Sequence, residues 1–217
     1  MLFVCGGHGG DSDGGDDVKP VQTIEKLRGG IPVTIVALGD SLTDGWMVDR
    51  GYLDFLETMI DERYRGSKYD LVNRGISGDT AEGGLQRLER DVLALHPDCV
   101  FVQFALNDAF SGYSPDEYEG YVEAIIRGIR EGSPADILLI TSVCLSDARQ
   151  DDIVTTFYDR LDELAQRHDL PIVRVHEYWK STMAAGTAFG DLTLPDGAHP
   201  NERGYRLMAE AIMASLV

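Results

Sequence analysis

The sequence predicts an α/β fold in which a five-stranded parallel sheet is sandwiched between two layers of helices. Three observations predict it. Apolar runs of four to eight residues are rich in Val and Ile on consecutive positions, as in strands covered on both faces. The longer stretches between them carry apolar residues at helical spacing. The two patterns alternate five times within 217 residues, which implies βαβ crossovers and suits one domain better than two.

Residues 1–18, which begin "MLFVCGGHGGDSDGGDD", form a Gly- and Asp-rich stretch expected to be a flexible solvated tail, leaving 19–217 as the domain. "DSDGGDD" approaches a calcium loop, but Asp16 stands where that loop needs glycine and no glutamate follows at its last position. The first strand is expected at Val33 to Leu38 and the first helix at Tyr52 to Tyr64. Strand two follows at Tyr69 to Asn73, and a helix at Ala81 to Leu95 shows the clearest period, through Leu85, Leu88, Val92 and Leu95. Cys99 to Phe104, Ile137 to Val143 and Ile172 to Val175 complete the strands. Pro115 to Arg130, Ile153 to Arg167 and Glu202 to Leu216 complete the helices.

A net charge of −18 with only four lysines argues against nucleic acid or anionic membrane as a partner, because both are held mainly by Lys and Arg. The apolar runs fall short of the roughly 18 residues a membrane helix needs. Cys5, Cys99 and Cys144 are an odd number without zinc-like spacing, and the last two lie in strand-like runs as buried thiols. Neither metal nor cofactor is expected. A cytoplasmic location is expected; export or a lipid anchor through Cys5 is the alternative, weakened by the missing basic segment before it. The sequence carries no signal of oligomeric state.

In parallel sheets ligands bind at the carboxyl ends of the strands. Four polar, Gly-containing stretches fall there: "GDSLTDG" after strand one, "NRGISGDT" after strand two, "ALNDAF" after strand three and "LPDGAHPNERGY" before the last helix. A serine at such an end suits nucleophilic catalysis if a histidine takes its proton and a carboxylate holds that histidine. His8 lies in the tail, and His96 and His168 lie where helices give way to strands, at the opposite rim. His199 is the candidate base, with Asp196 three residues before it; His176, directly after strand five, is the second candidate. The Ser41 N–H, the Gly78 N–H and the Asn107 side-chain amide are candidate donors to an oxyanion. Asp40 is expected to brace the turn, and Trp46 to line an acyl pocket or to pack.

These stretches, in this order, resemble the blocks of the SGNH hydrolases, also called GDSL lipases/acylhydrolases, and the likeness spans roughly Pro20 to the C-terminus. The resemblance implies a flavodoxin-like three-layer fold and a serine esterase without metal. It implies Ser41 as nucleophile, Asp196 and His199 completing the triad, and Ser41, Gly78 and Asn107 as the oxyanion hole. The implied substrate is a small acyl ester. A thioesterase, a lysophospholipase and a carbohydrate deacetylase are alternatives on the same machinery, and an inert flavodoxin-like binding module is an alternative of another class. One departure stands out: the family's third block usually reads Gly-x-Asn-Asp, and here Ala105 takes the glycine position. The G-x-S-x-G elbow of another serine-hydrolase fold is absent around Ser41.

Overall fold

A computed structural model describes residues 18–217. The tail expected at 1–18 therefore lies outside the described residues except for Val18, as do Cys5 and His8. Five strands, β1 (Val33–Gly39), β2 (Tyr69–Gly75), β3 (Cys99–Gln103), β4 (Asp136–Ile140) and β5 (Ile172–Val173), form one sheet in the order β2-β1-β3-β4-β5. Every pairing is parallel. This is the flavodoxin-like order, in which the chain reverses its winding between β1 and β3 and opens a crevice at their carboxyl ends. β3 is buried at all five positions and β1 at all but Thr34, which explains why their apolar residues are consecutive rather than alternating.

The helices are α1 (Val21–Gly29), α2 (Ser41–Asp44), α3 (Tyr52–Arg63), α4 (Ala81–Gln86), α5 (Leu88–Asp91), α6 (Leu106–Phe110), α7 (Pro115–Gly132), α8 (Ala148–His168), α9 (Val175–Ala184) and α10 (Glu202–Ser215). α10 packs against α3 and α9, while α7 packs against α4 and α8, giving the two helical layers. Among the described residues, no helix is long and apolar enough to cross a membrane.

Three expectations need correction. The helix expected over Ala81 to Leu95 is broken into α4, α5 and a single 3₁₀ turn at Leu93–Leu95. The break falls at Arg87, whose backbone leaves the helical region with φ −105° and ψ 3°, although Leu88 and Val92 still reach the core. α8 begins at Ala148, five residues before the expected Ile153, because Asp147 caps it by accepting the Arg149 and Gln150 N–H groups. The strands expected through Val143 and Val175 leave the sheet at Ile140 and Val173. Helices α1, α6 and α9 were not expected at all.

Candidate active site

The chain turns from strand into helix directly after β1. Asp40 caps α2, its Oδ1 accepting the Leu42 N–H at 2.9 Å, so Ser41 becomes the first helical residue. α2 lies so close to the end of β2 that a Cβ on Gly75 would fall 2.1 Å from the Asp44 nitrogen. Ser41 Oγ stands 3.0 Å from His199 Nε2, across 158 residues of sequence. Tyr205 of α10 donates its hydroxyl to the Ser41 carbonyl at 3.4 Å, tying the helix that follows the histidine loop to the serine.

Asp196 organises that loop from within. Its Oδ1 accepts the Ala198 and His199 N–H groups at 3.0 Å each, and its Oδ2 lies 2.7 Å from His199 Nδ1. With Nδ1–H directed at the carboxylate, the ring presents Nε2 as an acceptor to the serine hydroxyl. Partial burial pushes the Asp196 carboxyl upward, but the two backbone donors and the imidazole outweigh it and hold the group below its ordinary value. The Trp46 ring packs on His199 with centroids 4.2 Å apart and remains 37 % exposed. Ser146 N–H donates to the Gly197 carbonyl at 2.9 Å, bracing the loop from the segment after β4.

Across the crevice, residues Ile76 to Asp79 form a tight turn closed by Asp79 N–H donating to the Ile76 carbonyl at 3.1 Å. Gly78 sits in this turn at φ +83°, a conformation that side chains disfavour. Ser77 Oγ donates to Asp44 Oδ2 at 2.7 Å, which links the turn to α2. Asn107 Nδ2 donates to the Asp79 carbonyl at 2.9 Å; this uses one hydrogen of the amide and leaves the other available. Among the described residues, neither the Ser41 N–H nor the Gly78 N–H has a protein acceptor. The structure thus joins Ser41, His199 and Asp196 directly, and Gly78 with Asn107 through Asp79.

A model of the GDSL-like Lipase/Acylhydrolase family matches residues 37–207. The chain belongs to this family. An arylesterase from Vibrio mimicus is 25% identical over 186 residues, covering 84% of this chain and 88% of that protein. A thioesterase 1/protease 1/lysophospholipase L1 from Escherichia coli is 24% identical over 178 residues, covering 82% and 80%. In the crystal structure of Axe2, an acetylxylan esterase from Geobacillus stearothermophilus, the fold matches with a TM-score of 0.76 at 20% identity, over 85% of this chain and 94% of that one. Our GDSL-family chain is a carboxylic ester hydrolase.

Ala105, where the family usually has glycine, has φ 137° and ψ −40° and is fully buried. An alanine held there is strained by roughly 1–3 kcal/mol. Ala105→Gly should therefore cost less than Ala37→Gly, a fully buried alanine in the regular strand β1, by about that amount; paired urea unfolding curves measure the difference.

Two buried carboxyls lie behind the site of this GDSL acylhydrolase. Burial pushes Asp40 up to about 7, against the pull of the Leu42 N–H and Gln103, and pushes Asp108 up to about 6. Asp108 Oδ1 accepts the Ala81 N–H at 2.9 Å, whereas its Oδ2 has no partner among the described residues. In the unfolded chain an aspartate loses its proton near 3.8, so the folded state holds more protons between that value and about 7. Stability should accordingly fall as pH rises through this window. Asp40→Asn should flatten the fall of Tm between pH 5 and 8 while Asp108 maintains the lower part of it, as thermal unfolding in a buffer series would show.

His176, the second candidate base, is elsewhere. It lies on α9, 4 % exposed, with Nε2 3.0 and 3.1 Å from the two Asp151 oxygens. Cys144 Sγ donates to its carbonyl at 3.4 Å, and the thiol, carboxylate and imidazole lie within 4.8 Å of one another. Linear spacing conceals this cluster, because the three residues come from a loop and two helices. Its carboxylate already receives the Leu145 N–H and lies 3.3 Å from the Lys180 ammonium, and burial pushes the Cys144 thiol up to about 12. The arrangement is a polar brace for the segment that carries Ser146. Cys99 and Cys144 are both buried thiols, as expected.

Proposed function

We propose that Ser41 attacks the acyl carbonyl while His199 takes its proton, and that Asp196 orients the imidazole and stabilises its charged form. The Ser41 and Gly78 N–H groups and the spare Asn107 N–H receive the oxyanion. As the tetrahedral intermediate collapses, His199 returns the proton to the departing alcohol. Water activated by the same imidazole then releases the acid from Ser41. The observation that carries this reading is the continuous chain from Ser41 Oγ to His199 Nε2 at 3.0 Å and from His199 Nδ1 to Asp196 Oδ2 at 2.7 Å. No step calls for a metal or cofactor.

The surroundings favour uncharged esters. Trp46, Met47, Ile76 and Phe110 are exposed large apolar residues in the segments that follow β1, β2 and β3, and they offer contact to an acyl or aryl group. The net charge of −18 opposes polyanionic substrates. A series of p-nitrophenyl esters from acetate to palmitate tests the activity itself and reads the acyl preference. Acetylthiocholine and acetyl-CoA, thioesters of opposite charge, test the electrostatic part. Wild type should turn over the neutral esters and should prefer acetylthiocholine, with a preference that narrows as salt is added. Absence of turnover throughout the series would favour the inert binding module.

A further inference from the structure

Among the described residues, Arg87 is the only buried lysine or arginine, at 7 % exposure. Its guanidinium makes four directed hydrogen bonds. Nε donates to Asp79 Oδ2 at 2.8 Å, Nη1 to the Arg74 carbonyl at 2.8 Å and to Asp91 Oδ2 at 3.3 Å, and Nη2 to the Gly39 carbonyl at 3.0 Å. Gly39 ends β1 two residues before Ser41, and Arg74 lies next to the end of β2, where the Gly78 turn departs. Asp79 is the residue by which that turn leaves.

Asp79 is held at three points. Its N–H closes the turn, its carbonyl receives Asn107 Nδ2, and its carboxylate receives Arg87. The Gly39 carbonyl is shared between Arg87 and the Ile76 N–H, which donates to it at 3.0 Å. One planar cation thus spans the end of the nucleophile strand, the end of β2 and the turn that carries Gly78. The helical period through Leu85, Leu88 and Val92 breaks at Arg87 itself, where the backbone departs from the helix and the side chain enters this junction.

We infer that Arg87 is a positioning residue for the oxyanion hole: its guanidinium fixes the Gly78 turn and, through Asp79, the Asn107 amide relative to Ser41. The inference rests on the assignment of Ser41, Gly78 and Asn107 given above. A planar fork of N–H groups reaches two carboxylates and two carbonyls at once, whereas a lysine ammonium keeps the charge without that geometry.

The test compares Arg87→Lys with wild type and with Asn107→Ala on p-nitrophenyl butyrate, after wild-type turnover and its dependence on Ser41 have been established. Asn107→Ala, which deletes one donor, should lower kcat about 100- to 1,000-fold. Arg87→Lys displaces donors without deleting them and should lower kcat about 10- to 100-fold, with KM within about twofold. The affinity of a reversible boronic acid, which forms a tetrahedral adduct on the serine, should weaken in parallel with kcat/KM. If Arg87→Lys does not fold by circular dichroism, Asp79→Asn weakens the same link and should show the same split between kcat and KM. Arg87→Gly assayed with about 20 mM guanidinium chloride adds an independent readout: partial recovery of kcat, absent with equal sodium chloride, is expected. A folded Arg87→Lys, or Asp79→Asn in its place, with wild-type kcat and boronate affinity would overturn the inference, even if its Tm were lower, and would leave the Ser41 assignment standing. Loss of the Ser41 dependence in wild type would instead overturn the reading on which the inference rests.

Discussion

Ser41→Ala should lower ester hydrolysis by roughly 10⁴- to 10⁶-fold, the scale on which serine hydrolases lose rate with their nucleophile. The hydroxyl is 3.0 Å from His199 Nε2 and has no other side-chain partner among the described residues. Its removal takes away one hydrogen bond at the crevice and no packing atoms from the sheet, so stability should change by no more than about 1 kcal/mol. The Asp40 cap that forms α2 bonds the Leu42 N–H and remains in the variant. The check is kcat/KM on p-nitrophenyl butyrate together with a thermal melt. Activity within tenfold of wild type in a folded variant would remove Ser41 from the reaction.

His199→Ala should come second, with a loss of about 10⁴-fold or more, and Asp196→Ala should lose less. The imidazole carries the proton, whereas the carboxylate holds the ring and stabilises its charge. A backbone carbonyl or a water can take over part of that task, but no other group among the described residues bonds Ser41 Oγ. Stability should follow the opposite order. Asp196 also accepts the Ala198 and His199 N–H groups, so its loss unpins the loop, while truncation of the His199 ring spares those two bonds. Asp196→Ala should therefore have the lower Tm and the higher residual rate. A folded His199→Ala that kept most of the rate would place the base elsewhere.

The parts of this arrangement written in short segments were legible in the sequence. Gly39 to Ser41 at the end of a Val- and Ile-rich run, the turn glycine in "GISGDT", and Asp196 three residues before His199 are local patterns, and each lies at the carboxyl rim where expected. The parts that depend on distant partners were hidden. The period through Leu85, Leu88 and Val92 reports which face is buried and is blind to Arg87 breaking the helix, because the carbonyls that draw the guanidinium belong to β1 and β2. The position of His176 after strand five made it a candidate base, but its partner Asp151 lies 25 residues earlier on another helix. The strain at Ala105 follows from a backbone conformation, and only the substitution of the usual glycine pointed to it. Helix α1 has a weak apolar stripe, with Thr23, Ile24 and Leu27 as its only buried residues, and so gave little periodic signal.

The proposed chemistry depends most directly on Ser41 being an activated nucleophile. Treatment with a fluorophosphonate, which phosphonylates activated serines, followed by mass spectrometry of the peptide containing residue 41, measures this without assuming a substrate. The predicted result is one adduct per chain, located on Ser41, formed in step with the loss of esterase activity, absent in Ser41→Ala and greatly slowed in His199→Ala. An ester-hydrolysing protein that lost its activity through an adduct on another residue, or retained full activity with Ser41 fully labelled, would contradict it.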